Sequence, residues 1–142
     1  IAGAPAHEYN ALYDLGGYLG LVFQLQDDFL DVYGDVAEFG KKIGGDILEN
    51  KKTYLLIKAL EQAGEEEKAR LWEWLNNKNA DPGEKIKAVT EIYNRLQVPE
   101  LTRCTIDLYL EKSREALRKV EVPEERKAGF YEMIDYICER KK

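Results

Sequence analysis

The sequence predicts an all-α protein, an antiparallel helical bundle. Three observations lead there. Every long stretch repeats its apolar residues at helical rather than alternating spacing, no hairpin signal appears between them, and helix start and stop residues fall at the joins. Residues 7–33 form the first predicted helix, free of proline and apolar on several faces. Its Gly16, Gly17 and Gly20 weaken a helix by roughly 1 kcal/mol each but let a neighbouring helix approach closely. A glycine-rich connector follows over residues 34–45.

Residues 53–63 repeat Leu56, Ala59, Leu60 and Ala63 at helical spacing, and Gly64 stops them. Glu65, Glu66 and Glu67 suit the positive end of a new helix, which presents Leu71, Trp74 and Leu75 on one face. Asp81, Pro82 and Glu84 read as cap, first turn and capping partner of a helix with the stripe Ile86, Val89, Tyr93 and Leu96. Pro99 breaks the chain, and residues 101–120 form a further helix with Leu110, Leu117 and Val120 in step. Pro123 opens the last helix, whose expected stripe is Phe130, Met133, Ile134, Ile137 and Cys138.

Composition narrows the function classes. With 44% hydrophobic and 11% aromatic residues, the 142-residue chain can build a core and is not disordered. The longest run without a polar side chain other than Tyr, residues 15–23, is about half of the ~20 residues a bilayer span needs, so no membrane span is expected. The net charge of −6 is concentrated: residues 1–40 hold Glu8, Asp14, Asp27, Asp28, Asp31, Asp35 and Glu38 without one Lys or Arg. Such a field repels nucleic-acid phosphate and invites a cation. Cys104 and Cys138 lack zinc spacing and are expected as buried core thiols in a reducing cytoplasm. The chain starts at Ile1, has its single Met at position 133 and shows no signal peptide, so it reads as a piece of something longer.

Two neighbouring patches carry the chemistry. On a helix, Gln24, Asp27, Asp28 and Asp31 follow the i, i+3, i+4, i+7 spacing and share one side. Like charges so placed repel unless a cation sits among them, and hard oxygen donors suit magnesium shared with a phosphate. A solvated acidic face is the plainer alternative. The flanking Leu19, Leu21, Val22, Phe23, Leu25, Phe29 and Leu30 argue instead for a buried helix with a polar seam. Downstream, Gly40-Lys41-Lys42-Ile43-Gly44-Gly45-Asp46 leads into Lys51-Lys52-Thr53, with glycines for a tight backbone and lysines for anionic oxygens. It lacks the Gly-Lys-Ser/Thr of a nucleotide-binding loop.

Residues 23–31, Phe-Gln-Leu-Gln-Asp-Asp-Phe-Leu-Asp, and the loop from Gly40-Lys41 to Thr53 together resemble the trans-isoprenyl diphosphate synthases, or polyprenyl synthetases. The first stretch is similar to that family's second aspartate-rich motif. The resemblance implies the C-terminal portion of the isoprenoid synthase fold, residues 1–142 forming one all-α segment of a polyprenyl synthetase domain whose N-terminal half is absent. It implies a prenyltransferase that condenses an allylic prenyl diphosphate with isopentenyl diphosphate, using Mg2+, commonly as a homodimer. By the same resemblance Asp27, Asp28 and Asp31 are the metal set, with Asp28 a ligand or an acceptor behind the ligands. Lys41 joins them as a catalytic residue. Gln24, Lys41 or its neighbour Lys42, Asp46 and Lys51 contact or support the diphosphate, and Arg140, Lys141 and Lys142 resemble a basic tail near the isopentenyl diphosphate site. The family's first aspartate motif and its arginine pair have no counterpart here, so the chain by itself is expected to be inactive. A terpene cyclase or a non-catalytic helical partner is the alternative. Cyclases usually lack the Gly-Lys to Gly-Gly-Asp loop.

Overall fold

The computed structural model describes residues 5–34 and 43–139. These form seven α-helices and no strand: α1 (Ala6–Tyr33), α2 (Gly45–Leu48), α3 (Tyr54–Gln62), α4 (Glu65–Asn76), α5 (Pro82–Arg95), α6 (Val98–Arg118) and α7 (Glu124–Glu139). The all-α expectation holds. The chain divides into two compact units, one of Ile1–Gln26 with Cys104–Lys142 and the other Asp27–Arg103, so α1 and α6 each contribute to both.

The helix ends follow local chemistry. Thr53 caps α3, its hydroxyl accepting from the Leu56 N–H at 3.3 Å. Asp81 caps α5 in the same way, accepting from the Glu84 N–H at 3.0 Å, and Pro82 takes the first helical position, where its missing donor is no loss. α3 ends at Gln62 with Ala63 as its C-cap, and the extended Gly64 serves as the N-cap of α4 rather than as a stop for α3. α6 starts at Val98, three residues before the expected position, because Pro99 is tolerated in a first turn; the break itself is made at Gln97, in the left-handed region at φ 55°. The four-residue α2 lies at the end of the expected connector.

In the 27–103 unit, Val32, Ile47, Leu55, Leu56, Ala59, Leu71, Val89, Ile92, Tyr93 and Val98 form one buried cluster, with Trp74, Leu75, Ile86 and Leu96 packed at its edge. Truncating the fully buried Leu55 to Ala is expected to cost about 2–5 kcal/mol. A denaturant melt checks this, and an unshifted midpoint would mean that the site collapses without cost.

In the other unit α1 buries Ala11, Leu15, Leu19, Val22 and Leu25, while α6 buries Ile106, Leu110 and Leu117. The Gln26 side-chain amide donates to the Ile137 carbonyl at 2.6 Å, the Glu121 N–H donates to the Glu8 carboxylate at 3.1 Å, and Arg114 pairs with Asp135 at 3.0 Å. Two expectations need correction here. α7 buries Lys127, Ile134 and Ile137, whereas Phe130 and Met133 are exposed. The half-buried Cys138 and the exposed Cys104 are not core thiols. Cys104 stands two positions from both Thr102 and Ile106, which are buried, and two residues turn a helix by about 200°, away from that face.

The opposite side of α1 is open. Tyr9, Leu12, Tyr13 (83% exposed) and Phe23 (50% exposed) lie on it. A Cβ built on Gly16, Gly17 or Gly20 would meet nothing within 4 Å, so no neighbouring helix among the described residues uses their small size.

Candidate functional site

The acidic end of α1 and the turn that follows α2 meet inside the 27–103 unit. Successive residues on a helix point about 100° apart, so Asp27 and Asp28 cannot share surroundings. Asp27 is exposed. Asp28 is only 4% exposed, and its Oδ2 accepts from the Tyr54 N–H at 3.1 Å. This contact ties the end of α1 to the start of α3.

Asp31, one turn beyond Asp27, is partly buried and accepts from the Asp46 N–H at 2.9 Å. Its carbonyl accepts from the Gly44 N–H at 2.6 Å, so two successive stretches of backbone dock on one residue. Burial is the main cause that raises the Asp31 carboxyl above its usual range, and the negative charges of Asp46 and Asp27 add to it; the Asp46 N–H and the Lys51 ammonium oppose it. A cation beside this carboxylate would offset that penalty.

Lys51 closes the arrangement. Its ammonium lies 2.8 Å from Asp46 Oδ2 and 3.6 Å from Asp28 Oδ1. The Asp46 hydrogen bond, first among the causes, raises the lysine further and keeps it charged. With its side chain 44% exposed, such a pair is worth about 0.2–1 kcal/mol, too little to fold the turn but enough to orient it.

Gly44, one of the glycines expected to permit a tight backbone, and Asn50, which sequence reasoning passed over, shape this turn. Gly44 has φ 82°, and a Cβ there would sit 2.7–2.9 Å from three side-chain atoms of Ile86. Asn50 adopts φ 53°, a conformation asparagine reaches more readily than most residues. Its amide donates to the Leu75 carbonyl at 2.9 Å. The Gly-Gly pair and an Asn directly before Lys were the available signals.

Gln24 is exposed on α1, one turn before Asp27. Lys41, Lys42, Arg140, Lys141 and Lys142 lie outside the described residues. Among the described residues no group of three Asp, Glu, His or Cys side chains converges to hold a metal ion, so the stripe is not a closed cage. The donor chemistry nonetheless suits magnesium, which is usually held by one or two carboxylates together with substrate phosphates and water. Asp27 and Asp31, one helical turn apart, could supply two such carboxylates.

An all-α protein with an aspartate-rich helix end braced by a lysine turn is the class that fold and site define. Comparison with solved structures agrees. A geranylgeranyl pyrophosphate synthase superposes with a TM-score of 0.86 at 34% identity, covering 99% of this chain and 44% of that one. A geranylgeranyl pyrophosphate synthase from Corynebacterium glutamicum complexed with isoprenyl diphosphate and magnesium gives 0.79 at 31% identity, covering 93% and 37%. The polyprenyl synthetase family model matches residues 1–93, and the chain belongs to that family. A short chain isoprenyl diphosphate synthase from Methanothermobacter thermautotrophicus is 34% identical over 141 residues, which is 99% of this chain and 42% of the relative. The chain thus spans less than half the length of these relatives. Among its described residues no helix is long and apolar enough to cross a membrane.

Proposed function

We propose that the chain supplies the second aspartate-rich half of a prenyltransferase site, one that condenses an allylic prenyl diphosphate with isopentenyl diphosphate into a longer trans-prenyl diphosphate. The observation that carries the reading is the division of labour at the end of α1: Asp27 exposed, Asp28 buried as an anchor, and Asp31 held against Asp46 and Lys51. A merely solvated acidic face would have no reason to bury its middle carboxylate against a backbone N–H.

In this reading Asp27 and Asp31 hold Mg2+, which supplies positive charge to the diphosphate oxygens. Lys41, with Lys42 beside it, meets the same oxygens, and Gln24 lines the approach. Asp28, Asp46 and Lys51 keep the carboxylates and the loop in register. Arg140, Lys141 and Lys142 add positive charge near isopentenyl diphosphate. The allylic carbon–oxygen bond breaks as charge on the departing diphosphate is neutralised, the isopentenyl double bond attacks the allylic carbon, and a proton is lost to form the product alkene. The leaving diphosphate can accept that proton, so the site needs no histidine base.

Incubation of the full-length protein with magnesium, an allylic diphosphate and labelled isopentenyl diphosphate should give a prenyl diphosphate at least one isoprene unit longer. A cyclised hydrocarbon, or no product, would overturn the reading. The 142-residue chain by itself should give no product above background, and robust turnover from it would refute the half-site assignment. The open apolar side of α1 should also make the isolated chain self-associate, consistent with a homodimeric enzyme, since leaving that surface in water costs about 25 cal/mol per Å². Sedimentation as a monodisperse monomer would contradict this.

A further inference from the structure

The buried face of α5 contains a lysine. Lys85, Val89 and Ile92 follow the i, i+4, i+7 spacing of a core stripe, and Lys85 is only 6% exposed. An ammonium in such a place costs several kcal/mol unless its donors are satisfied. Here it donates to Asn50 Oδ1 at 2.6 Å and lies 3.5 Å from the Leu48 carbonyl. Among the described residues it makes no ion pair with a carboxylate. Leu48 is the last residue of α2, where carbonyls carry partial negative charge.

Asn50 is therefore gripped at both ends of its amide, by Lys85 on one side and by the Leu75 carbonyl on the other. What the grip holds is the left-handed backbone at Asn50, which turns the chain so that the Lys51 N–H donates back to the Asp46 carbonyl at 2.9 Å. From there Lys51 Nζ reaches Asp46 and Asp28, and the Asp46 N–H reaches Asp31. One continuous series of contacts runs from α5 to the acidic end of α1. A methionine of similar length would suit the stripe without burying a charge, so stability alone does not account for a lysine.

We propose that Lys85 is a positioning residue, acting through Asn50 to set Lys51 and Asp46 behind the metal-binding carboxylates. The inference rests on the prenyltransferase reading for its kinetic consequence, but not for its structural one. In the full-length protein, Lys85→Met should lower kcat/KM for prenyl transfer about tenfold, as loss of a partner behind a metal ligand typically does. In a Lys51→Ala background the same change should matter less than about twofold, because the two act in series. Hydrogen exchange supplies a readout independent of turnover: the Asn50 and Lys51 amides should exchange about tenfold faster in Lys85→Met, with the α3 and α4 amides unchanged. Should that variant fail to fold, Asn50→Gly keeps the left-handed backbone accessible, removes the exposed half of the grip, and should show the same local exchange. Unchanged exchange at Asn50 and Lys51, or an equal kinetic loss in both backgrounds, overturns the proposal. A wild-type protein without prenyl transfer would instead sink the functional reading, and exchange would then decide the Lys85 grip by itself.

Discussion

If the proposed prenyl transfer holds, replacing Asp27 with alanine in the full-length protein is expected to lower turnover by about 100-fold or more, the usual scale for one preorganised electrostatic group. Its thermal midpoint should hardly change. The contrast with its neighbour is the test. Asp27 is exposed, so truncating it breaks no buried contact. Asp28→Ala instead leaves the Tyr54 N–H without its acceptor and Lys51 with one carboxylate fewer, and should cost about 1–3 kcal/mol of stability as well as activity. Steady-state kinetics and thermal melts on the two variants separate the roles. A wild-type rate from Asp27→Ala removes that residue from the mechanism, and an unchanged melt for Asp28→Ala removes the anchor.

Gly44→Ala is expected to be the most damaging small substitution. The left-handed backbone at φ 82° costs a non-glycine residue about 1–2 kcal/mol, and forcing a methyl against Ile86 adds about 1–3 more. The change also strains the Gly44 N–H bond to the Asp31 carbonyl, so site and stability should fall together. Ile86→Ala in the same chain should recover the steric part but not the backbone part. Gly17→Ala makes the counter-case: its Cβ meets nothing within 4 Å and its helix interior favours alanine, so a gain of about 0.5–1 kcal/mol is expected in this chain. Equal effects from the two glycines, read by chemical denaturation, would show that neither the close approach nor the turn matters.

What the sequence by itself determined is what local chemistry controls. Thr53 and Asp81 cap helices because their side chains lie next in the chain to the N–H groups they satisfy. Val89 and Tyr93 are buried because a repeat near 3.6 residues leaves them one side to hide. The aspartate stripe and the loop after it were legible too, since their residue types and order are written consecutively. The tertiary structure decided which members of those patterns are buried and what each one touches. Asp28 read as either a ligand or an acceptor, and only the placement of α3 brings the Tyr54 N–H to it. Phe130 and Met133 fit the stripe of α7 by spacing, yet exposure depends on whether another helix covers them. Lys85 has no place in the stripe Ile86, Val89, Tyr93 and Leu96 that spacing predicts, and its partner Asn50 is 35 residues away in sequence. Periodicity reports what a helix could bury. Only packing against distant residues settles what it does bury, because desolvation and hydrogen-bond partners are properties of the neighbours a side chain meets and not of its place in the chain.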